Sequence, residues 1–303
     1  MNVGAVVLHF RRWPGVRDTL DALHAQTRPP DTVIVVDNHS ADGSVAELRS
    51  AYPGLEVIEA AANGGYAAGM NLGLQASLAR GSDAVLLLTH ECRLAPDALA
   101  ALVDRLEGEP AVGALGPLIG DLSDPEMVFS AGGEIDCRTW RTDHRRTPAR
   151  MGDWTGRPPQ PAEWLDGAAI LLRSAAVEAA GAFDEGYFLY FEETEYLLKL
   201  RRLGWSVECV PAAWAWQESG GKPTYLWVRN RLRFLARTAP KRLVVRELAL
   251  SARPLVGGAV RRSTGPSRAE RRARARAILH FLIRRWGPDV PETRAKETSW
   301  QPL

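Results

Sequence analysis

The sequence predicts an α/β protein: a mostly parallel sheet flanked by helices, followed by a basic helical extension at the C-terminus. Short apolar runs alternate with segments whose apolar residues recur at helical spacing, which is typical of parallel strands joined by crossover helices. The chain has 303 residues, 46% of them hydrophobic, enough for a sizeable core. Basic residues become dense from Arg229 to Arg285, and this change of composition marks the extension.

The elements follow one another along the first half of the chain. We expect strands over 3–8, 32–36, 55–58 and 84–88, and helices over 16–26, 44–51 and 96–106. A further helix leaves the Gly-rich segment 63–71 and runs to 80. Residues 33–36 are all β-branched, and Pro96 suits the first turn of a helix.

The second half of the chain has a looser pattern. Residues 121–161 are rich in Pro, Gly, Arg and Asp, so we expect loops, short strands and a mobile or ligand-facing element there. Regular structure returns over 164–173, 192–202 and 206–210, and two or three amphipathic basic helices fill 223–286. We therefore predict one domain over 1–222 and the helical extension over 223–303.

Charge, cysteines and hydropathy argue against several classes of protein. The formal net charge of +2 points to no particular partner. Three widely spaced cysteines, Cys92, Cys137 and Cys209, argue against a disulfide scaffold or a zinc site and favour reduced thiols in the cytoplasm. No apolar run reaches the roughly 18 residues of a spanning helix, and the first run is too short for a signal peptide. We therefore expect a cytoplasmic protein.

Two predicted strands end directly in polar residues, one at Asp37 and the other at Thr89-His90-Glu91. In open α/β sheets, ligands bind beyond the carboxyl ends of the strands. Asp37 can accept hydrogen bonds from a base or a ribose, and the second group can hold a divalent cation against a diphosphate. The alternatives are an Asx-type turn at Asp37 that caps the next helix, and a solvent-facing turn histidine at His90.

The Gly-rich segment 63–71 contains Gly64, Gly65 and Gly69 between Asn63 and Asn71. Glycine lets the backbone approach a ligand closely, although a tight strand-to-helix connection has the same composition. The segment has neither the GxxxxGKS/T spacing of a phosphate-binding loop nor the GxGxxG spacing of a dinucleotide site. P-loop nucleotidases and NAD-type enzymes are therefore disfavoured.

A third cluster places carboxylates behind an aromatic stretch. Residues 183–191 are rich in Phe and Tyr, and Glu192, Glu193 and Glu195 follow at a predicted helix start. The helix dipole favours the ionised carboxylate, while aromatic neighbours raise its pKa by desolvation. A carboxylate in this setting can act as a general base for a hydroxyl. Ordinary helix N-terminal charge is the alternative, but it leaves the aromatic run unexplained.

Taken in order, these motifs resemble those of family 2 glycosyltransferases of the GT-A fold, in the rhamnosyltransferase-like branch. The resemblance spans residues 3–235, with motifs at 33–44, 63–73, 166–173, 183–211 and 229–230. It implies an inverting enzyme that moves a sugar from a nucleoside-diphosphate sugar, a dTDP- or UDP-sugar, to an acceptor hydroxyl. The implied acceptor is a glycan, a lipid-linked intermediate or a small-molecule natural product.

The resemblance also implies a role for each matched residue. Glu193 stands at the family's catalytic base, and Glu195, at a following acidic position, is assigned with it to the catalytic residues. Glu91 stands at the metal-binding acid of the DxD-like motif, with His90 as a compensating ligand and Mg²⁺ or Mn²⁺ as the implied cofactor. The remaining assignments are Asp37, Asn38, Asn63, Gly65, Asn71, Thr89 and His90 on the donor side, and Asp166, Gly167 and Glu192 on the acceptor side.

The chain departs from the family pattern at several positions. Thr89-His90-Glu91 replaces the usual Asn-Pro-Asp or Asp-x-Asp, and Glu193 replaces an aspartate. Gln217 stands where some members have a metal-binding histidine, and His9-Phe10-Arg11 replaces Thr-Tyr-Asn. Acidic chemistry is kept at both key places, so we predict an active enzyme with a changed metal site.

The basic tail admits two interpretations. Ala275, Ile278, Leu279, Leu282 and Trp286 fall on one helical stripe surrounded by arginines. Such a helix can lie on an anionic membrane, placing the protein at the inner face of the cell membrane, or it can pack its stripe on the domain. We expect no nucleic-acid partner, because no recognised binding motif accompanies the charge.

Two other functions are alternatives to sugar transfer. A nucleotidylyltransferase should carry a Gly-rich basic loop after the first strand, and residues 9–14 contain no glycine. A non-catalytic nucleotide-binding or scaffold subunit would explain the altered acidic motifs. Loss of activity on substitution of Glu193 would separate the enzyme from the scaffold.

Overall fold

A computed structural model describes residues 1–218, 220–256 and 267–287 of the chain. The strands are β1 (Val3–His9), β2 (Thr32–Asp37), β3 (Glu56–Glu59), β4 (Ala84–Thr89), β5 (Arg93–Leu94), β6 (Val112–Asp121), β7 (Asp124–Ser130), β8 (Gly133–Ile135), β9 (Thr142–His144), β10 (Gln160–Pro161), β11 (Ala169–Arg173) and β12 (Ser206–Gln217). The helices are α1 (Trp13–His24), α2 (Ser44–Ala51), α3 (Gly65–Ala79), α4 (Ala98–Gly108), α5 (Ser174–Ala180), α6 (Glu192–Arg202), α7 (Thr224–Thr238), α8 (Lys241–Val256) and α9 (Arg268–Leu282).

Ten strands form one mixed sheet, with the main order β10-β12-β6-β11-β4-β1-β2-β3. The run β4-β1-β2-β3 is parallel, and so is the pair β6-β12. β11 lies between these groups and is antiparallel to both of its neighbours, β4 and β6. The sheet is therefore mostly parallel, as predicted, with one reversed strand at its centre.

The central strands are buried on both faces, because alternate side chains point to opposite sides of the sheet. On β1, Val6 and Leu8 face the core under α3, whereas Ala5 and Val7 face the core under α1 and α4. Gly73 lets α3 lie directly on the strands, since a Cβ at this position would come within 2.2 Å of the Val6 side chain. With both faces covered, the edge formed by the strand ends is left for a ligand.

The predicted strands and helices of the first half are confirmed as β1 to β4 and α1 to α4. β6 was not predicted, because glycines and Pro117 interrupt its apolar run. β12 continues to Gln217, past the predicted end at 210, through an irregularity between Val210 and Trp214. The segment 121–161 contains the short strands β7 to β10 separated by loops, as expected.

The C-terminal helices α7, α8 and α9 pack against one another. The prediction that the apolar residues of α9 share one face is wrong. Ile278 packs against the core, whereas Leu279 and Leu282 are exposed. Residues 257–266 and 288–303 of the predicted extension lie outside the described residues. No helix in the described ranges has the length and apolar character needed to cross a bilayer.

Candidate active site

A cavity of about 470 Å³ opens at the edge where β4 ends, β11 begins and α6 starts. The fold brings parts of three predicted motifs together around it. The predicted site residues that line the cavity are Thr89, Glu91, Asp166, Gly167, Glu192 and Glu193. A strand end, the turn before a reversed strand and a helix N-terminus therefore share one site.

Glu193 lies in the first turn of α6 and lines the cavity. Burial is the largest cause that raises the pKa of its carboxyl, to about 7, against the lowering effect of its own main-chain N–H. The negative charge of Asp166 adds to the rise, and the hydroxyl of Thr194, which donates to Glu193 at 3.1 Å, opposes it. A carboxylate in this state is a much stronger base than one in water.

Glu192 precedes this group and is more deeply buried, with only 2% of its surface exposed. Burial, and then the charge of Glu193, raise the pKa of Glu192 well above its usual range. Its Oε2 has no hydrogen-bond partner among the described residues. Since two adjacent carboxylates in a low-dielectric site repel each other, we expect Glu192 to keep its proton while Glu193 titrates.

The aromatic loop before α6 has an unusual backbone. Phe188, Tyr190 and Phe191 have φ angles of 69°, 73° and 75°. Each non-glycine residue in this left-handed region lowers the stability of the fold by roughly 1–3 kcal/mol, so surrounding contacts must hold the loop in place. The loop leads directly into the first turn of α6 and therefore fixes the position of Glu193.

Contacts from two helices hold this loop. The fully buried side-chain amide of Asn230, on α7, donates to the main-chain carbonyls of Tyr187 and Leu189 at 2.8 and 2.7 Å. On the other side, the carbonyl of Phe188 accepts a hydrogen bond of 2.7 Å from the main-chain N–H of Tyr66, on α3. The loop is thus clamped between the Gly-rich motif and α7.

The imidazole of His90 is neutral and mostly buried, with 15% of the side chain exposed. Its Nδ1 lies 3.1 Å from the carbonyl oxygen of Leu8, which can only accept, so Nδ1 carries the hydrogen. Burial is the main cause that lowers the pKa of His90 to about 3, and His9 lowers it further. Nε2 has no hydrogen-bond partner within the described ranges and lies 3.8 Å from Oε2 of Glu91.

The carboxylate of Glu91 is paired with Arg12. Nη1 of Arg12 lies 3.1 Å from Glu91, and Nη2 of the same guanidinium lies 2.8 Å from Glu218. Burial raises the pKa of Glu91, and the charge of Arg12 opposes the rise. All three side chains line the cavity, so the guanidinium of Arg12 lies between the carboxylates of Glu91 and Glu218.

Two side chains at this place have atoms of the kind that bind divalent cations, Glu91 in the cavity lining and His90 outside it. An imidazole whose Nδ1–H is held by a carbonyl, as in His90, is the usual form of a metal-binding histidine, and Glu91 adds a carboxylate oxygen. Mg²⁺ and Mn²⁺ commonly take their other ligands from water and substrate phosphate. No group of three or more His, Cys, Asp or Glu arranged for a metal occurs in the part of the chain that the structure describes. The chain offers two ligands here, one of them already paired with Arg12.

Asp37 and Asn38 lie at the turn after β2 and do not line the cavity. The buried carboxylate of Asp37 accepts hydrogen bonds from the main-chain N–H and the hydroxyl of Ser40, forming a local turn. The side chain of Asn38 donates to Oδ1 of Asn63 at 3.0 Å and to the carbonyl of Gly65 at 3.1 Å. In the structure these predicted donor residues join two neighbouring loops to each other.

Asn71 and Glu195 also lie outside the cavity lining. The side chain of Asn71 donates to the carbonyl of Phe183 and accepts from its N–H, at 3.0 and 2.9 Å, so it anchors the start of the aromatic loop. Glu195 accepts a 2.6 Å hydrogen bond from Nε of Arg237, on α7. Residues two apart on a helix point to different sides, and the structure does not bring Glu195 to the cavity beside Glu193.

Several residues that were not predicted also line the cavity, among them Arg12, Tyr66 and Lys222. The Tyr66 hydroxyl donates to the carbonyl of Gly167 at 2.9 Å, and Nζ of Lys222 lies 4.2 Å from the centre of the Trp227 ring. Arg12 could have been found from its place just after a predicted strand. Lys222 follows a pair of glycines, and no local pattern signals that this segment reaches the cavity.

Comparison with known proteins agrees with this geometry. Residues 5–130 match the family model for glycosyl transferase family 2. An N-acetylglucosaminyl-diphospho-decaprenol L-rhamnosyltransferase of Mycobacterium tuberculosis is 28% identical over 230 residues, covering 69% of this chain and 73% of that protein. The galactofuranosyltransferase GlfT1 of Mycolicibacterium smegmatis is 31% identical over 208 residues, covering 67% of this chain and 66% of that protein. The chain belongs to glycosyltransferase family 2.

Solved structures share the fold of this family 2 glycosyltransferase at low sequence identity. GalNAc-T7, solved with UDP, GalNAc and Mn²⁺, gives a TM-score of 0.64 at 14% identity, covering 94% of this chain and 57% of that chain. The mannosyltransferase PcManGT of Pyrobaculum calidifontis, solved with GDP-Man and Mn²⁺, gives 0.54 at 18% identity, covering 98% and 79%. The fold is GT-A, as predicted.

The family match covers only part of the cavity of this glycosyltransferase. Of the cavity lining it includes Arg12, Thr89 and Glu91, but it ends before Asp166 and Glu193. The half of the site formed by β11, α6 and the segment before α7 therefore rests on the geometry described above.

Proposed function

We propose that this family 2 enzyme is an inverting glycosyltransferase in which Glu193 is the general base for an acceptor hydroxyl. The observation that supports this proposal most is a carboxyl that lines the cavity at a helix N-terminus with a pKa raised to about 7. At neutral pH this group is partly ionised and binds a proton more strongly than an ordinary carboxylate. Both properties suit proton removal from a hydroxyl.

In the proposed reaction, Glu193 takes the proton of the acceptor hydroxyl as the acceptor oxygen attacks the anomeric carbon of the donor. The bond between that carbon and the diphosphate oxygen breaks, and its electron pair leaves with the diphosphate. One displacement of this kind inverts the configuration at the anomeric carbon. The protonated neighbour Glu192 keeps the local charge low, which helps Glu193 to be the group that ionises.

We propose a nucleoside-diphosphate sugar as the donor, a dTDP- or UDP-sugar. Solved structures of the same fold contain UDP or GDP-Man, and the curated relatives are named for rhamnosyl and galactofuranosyl transfer. Of the donor residues assigned from the sequence, Asn38 is hydrogen-bonded to Asn63 and Gly65, and Asn71 on α3 contacts Phe183 in the clamped aromatic loop. Arg12 and Lys222 line the cavity as cations and are suited to the charge of a leaving diphosphate.

We propose Glu91 and Nε2 of His90 as the residues that hold a divalent cation, Mg²⁺ or Mn²⁺. When bound, such an ion neutralises negative charge on a diphosphate. The chain's own contribution is to keep His90 neutral through burial and to orient its ring through the Leu8 carbonyl. Arg12 competes with a cation for Glu91, because it already pairs with this carboxylate.

We propose a glycan or lipid-linked acceptor, with a small-molecule natural product as the alternative. One curated relative is named for transfer to a diphospho-decaprenol carrying N-acetylglucosamine. The cavity has an aromatic wall, and aromatic faces suit sugar rings as well as apolar chains. The residues of this wall are Phe129, His144, Trp164, Tyr190, Phe191 and Trp227. Asp166 and Gly167 lie beside this wall, in keeping with an acceptor-side role.

Replacement of Glu193 by glutamine tests the proposed base. Glu193→Gln keeps the shape of the side chain and removes the basic oxygen, so transfer should fall by roughly 100-fold or more while UDP still stabilises the protein. Glu178→Gln is the matched control, because Glu178 is exposed on α5, away from the cavity. Transfer by Glu193→Gln at the wild-type rate would contradict the assignment of the base.

A further inference from the structure

Helix α9 presents an exposed face that combines arginine with large apolar side chains. Residues 272, 276, 279 and 283 follow helical spacing and fall on one side, with 282 beside them. Leu279, Leu282 and Ile283 are 54%, 60% and 57% exposed, and Arg272 and Arg276 are exposed as well. The arginines occupy the first half of this face and the apolar side chains the second.

The opposite side of α9 is fixed to the rest of the protein. Ala277 is fully buried, and His280 is buried with its Nδ1 2.6 Å from the hydroxyl of Tyr225, on α7. Ile278 and Phe281 pack against the same core cluster. These contacts set the rotation of the helix, so Leu279 and Leu282 cannot turn inward without breaking them.

We infer that this face of α9 docks on an anionic lipid bilayer. Exposed leucine and isoleucine side chains are costly in water and enter the boundary between headgroups and acyl chains, while arginines beside them bind lipid phosphates. Between 268 and 287 the chain has seven arginines and one acidic residue, Glu270. The charge of this surface therefore complements anionic lipid, and the apolar residues supply the part of the binding that salt does not weaken.

The end of α9 also lies beside the cavity. The main-chain N–H of Gly287, five residues past the end of α9, donates to the carbonyl of Gly186 within the aromatic loop at 3.2 Å. Leu189 and Tyr190 of that loop line the cavity and pack against the same cluster as Ile278. Docking through α9 would hold the cavity wall next to the bilayer, where a lipid-linked acceptor resides; this last point alone rests on the proposed function.

Sedimentation with vesicles tests the inference on the full chain. We expect binding to phosphatidylcholine vesicles that contain phosphatidylglycerol, weaker binding to phosphatidylcholine alone, and a decrease with added salt. Leu282→Asp should weaken vesicle binding roughly tenfold or more, because an apolar anchor becomes a charge. Arg272→Glu combined with Arg276→Glu should weaken it by a similar factor, since both substitutions repel anionic lipid.

Matched controls use equally exposed positions elsewhere. Leu203, at the end of α6, is 49% exposed, and Arg138 and Arg157 are exposed on the catalytic domain. Leu203→Asp, and Arg138→Glu combined with Arg157→Glu, should bind anionic vesicles like wild type. Transfer to a soluble acceptor should be unchanged in Leu282→Asp, which separates failure of docking from failure of the proposed chemistry.

Three results would overturn the inference. The first is equal binding of the wild-type chain to neutral and anionic vesicles. The second is wild-type binding by Leu282→Asp. The third is a wild-type chain that forms a dimer, a Leu282→Asp variant that is a monomer, and no vesicle binding by either protein. In that case a second copy of the chain would cover this face of α9.

Discussion

The side-chain amide of Asn230 donates to the main-chain carbonyl of Leu189 at 2.7 Å, and this contact joins α7 to the loop that leads into the helix of the proposed base. The same amide reaches the carbonyls of Tyr187 and Tyr190, at 2.8 and 3.1 Å. A buried amide that donates to three carbonyls can hold the backbone of the loop in left-handed conformations that are otherwise unfavourable. The position of Glu193 thus depends on a residue that does not touch the cavity.

Asn230→Asp should show this dependence. The new carboxylate has almost the same shape, but it cannot donate to the carbonyls and brings a buried charge. We expect the free energy of unfolding to fall by roughly 2–4 kcal/mol and kcat to fall more than KM rises. Denaturant unfolding and steady-state kinetics measure the two effects. An unchanged free energy of unfolding would show that the amide does not hold the loop.

Gly65→Ala tests the same loop from the other side. Gly65 has a φ of +81°, and a Cβ there would come within 2.0 Å of the Phe188 carbonyl oxygen. Gly81 has a φ of +77° with nothing within 4 Å of the added atom, so Gly81→Ala reports the backbone cost alone. We expect about 1 kcal/mol of destabilisation for Gly81→Ala and at least about 3 kcal/mol for Gly65→Ala, with loss of transfer only in the latter. If Gly65→Ala and Gly81→Ala lowered the free energy of unfolding equally, close contact between Gly65 and the Phe188 carbonyl would be contradicted.

The pH dependence of kcat/KM should report the ionisation of Glu193. A general base must be deprotonated, so activity should fall as pH drops through about 7, the raised pKa of this carboxyl. An ordinary glutamate would place this limb near pH 4.3. Thr194→Val removes a hydroxyl that stabilises the ionised form, and should therefore move the limb to higher pH. A limb that stays in place in Thr194→Val would point to another titrating group.

Arg12→Ala should strengthen the binding of Mn²⁺. Arg12 neutralises Glu91 at 3.1 Å, so its removal leaves a carboxylate whose charge is free to attract a cation. We expect roughly tenfold tighter Mn²⁺ binding by calorimetry. Arg93→Ala, which breaks an exposed ion pair with Asp18, is the control and should change nothing. Weaker Mn²⁺ binding in Arg12→Ala would mean that the cation does not compete for Glu91.

The sequence predicted the parts of the site that local patterns specify. Strand length and residue type predict the strand ends at Asp37 and Thr89, and helix start signals predict the carboxylates at the start of α6. The structure has these elements at the expected positions. The assignment of Glu195 to the catalytic residues beside Glu193 overlooked helical spacing, since residues two apart face different sides of a helix. The pairing of Glu195 with Arg237 is consistent with that spacing.

Other parts depend on contacts between distant segments. Arg12 meets Glu91 and Glu218 across 79 and 206 positions of the chain, and no local pattern encodes such a meeting. The inward turn of Ile278 is decided by α7, because the sequence of α9 has apolar residues on more than one side. The contacts that occupy the carboxylate of Asp37 come from its own turn, and the alternative drawn from the sequence anticipated that turn.

The reversed strand β11 has a consequence for how this enzyme can change. β6 and β11 are adjacent and antiparallel, so the connection over residues 122–168 begins and ends at the same edge, between neighbouring strands, and adds only β7 and β10 to the sheet. This connection supplies Phe129, His144, Trp164 and Asp166 to the cavity, while β1 to β4 keep their pairing without it. The connection can therefore be exchanged independently: a different segment between β6 and β11 would give the cavity a new wall and leave the pairing of β1 to β4 intact.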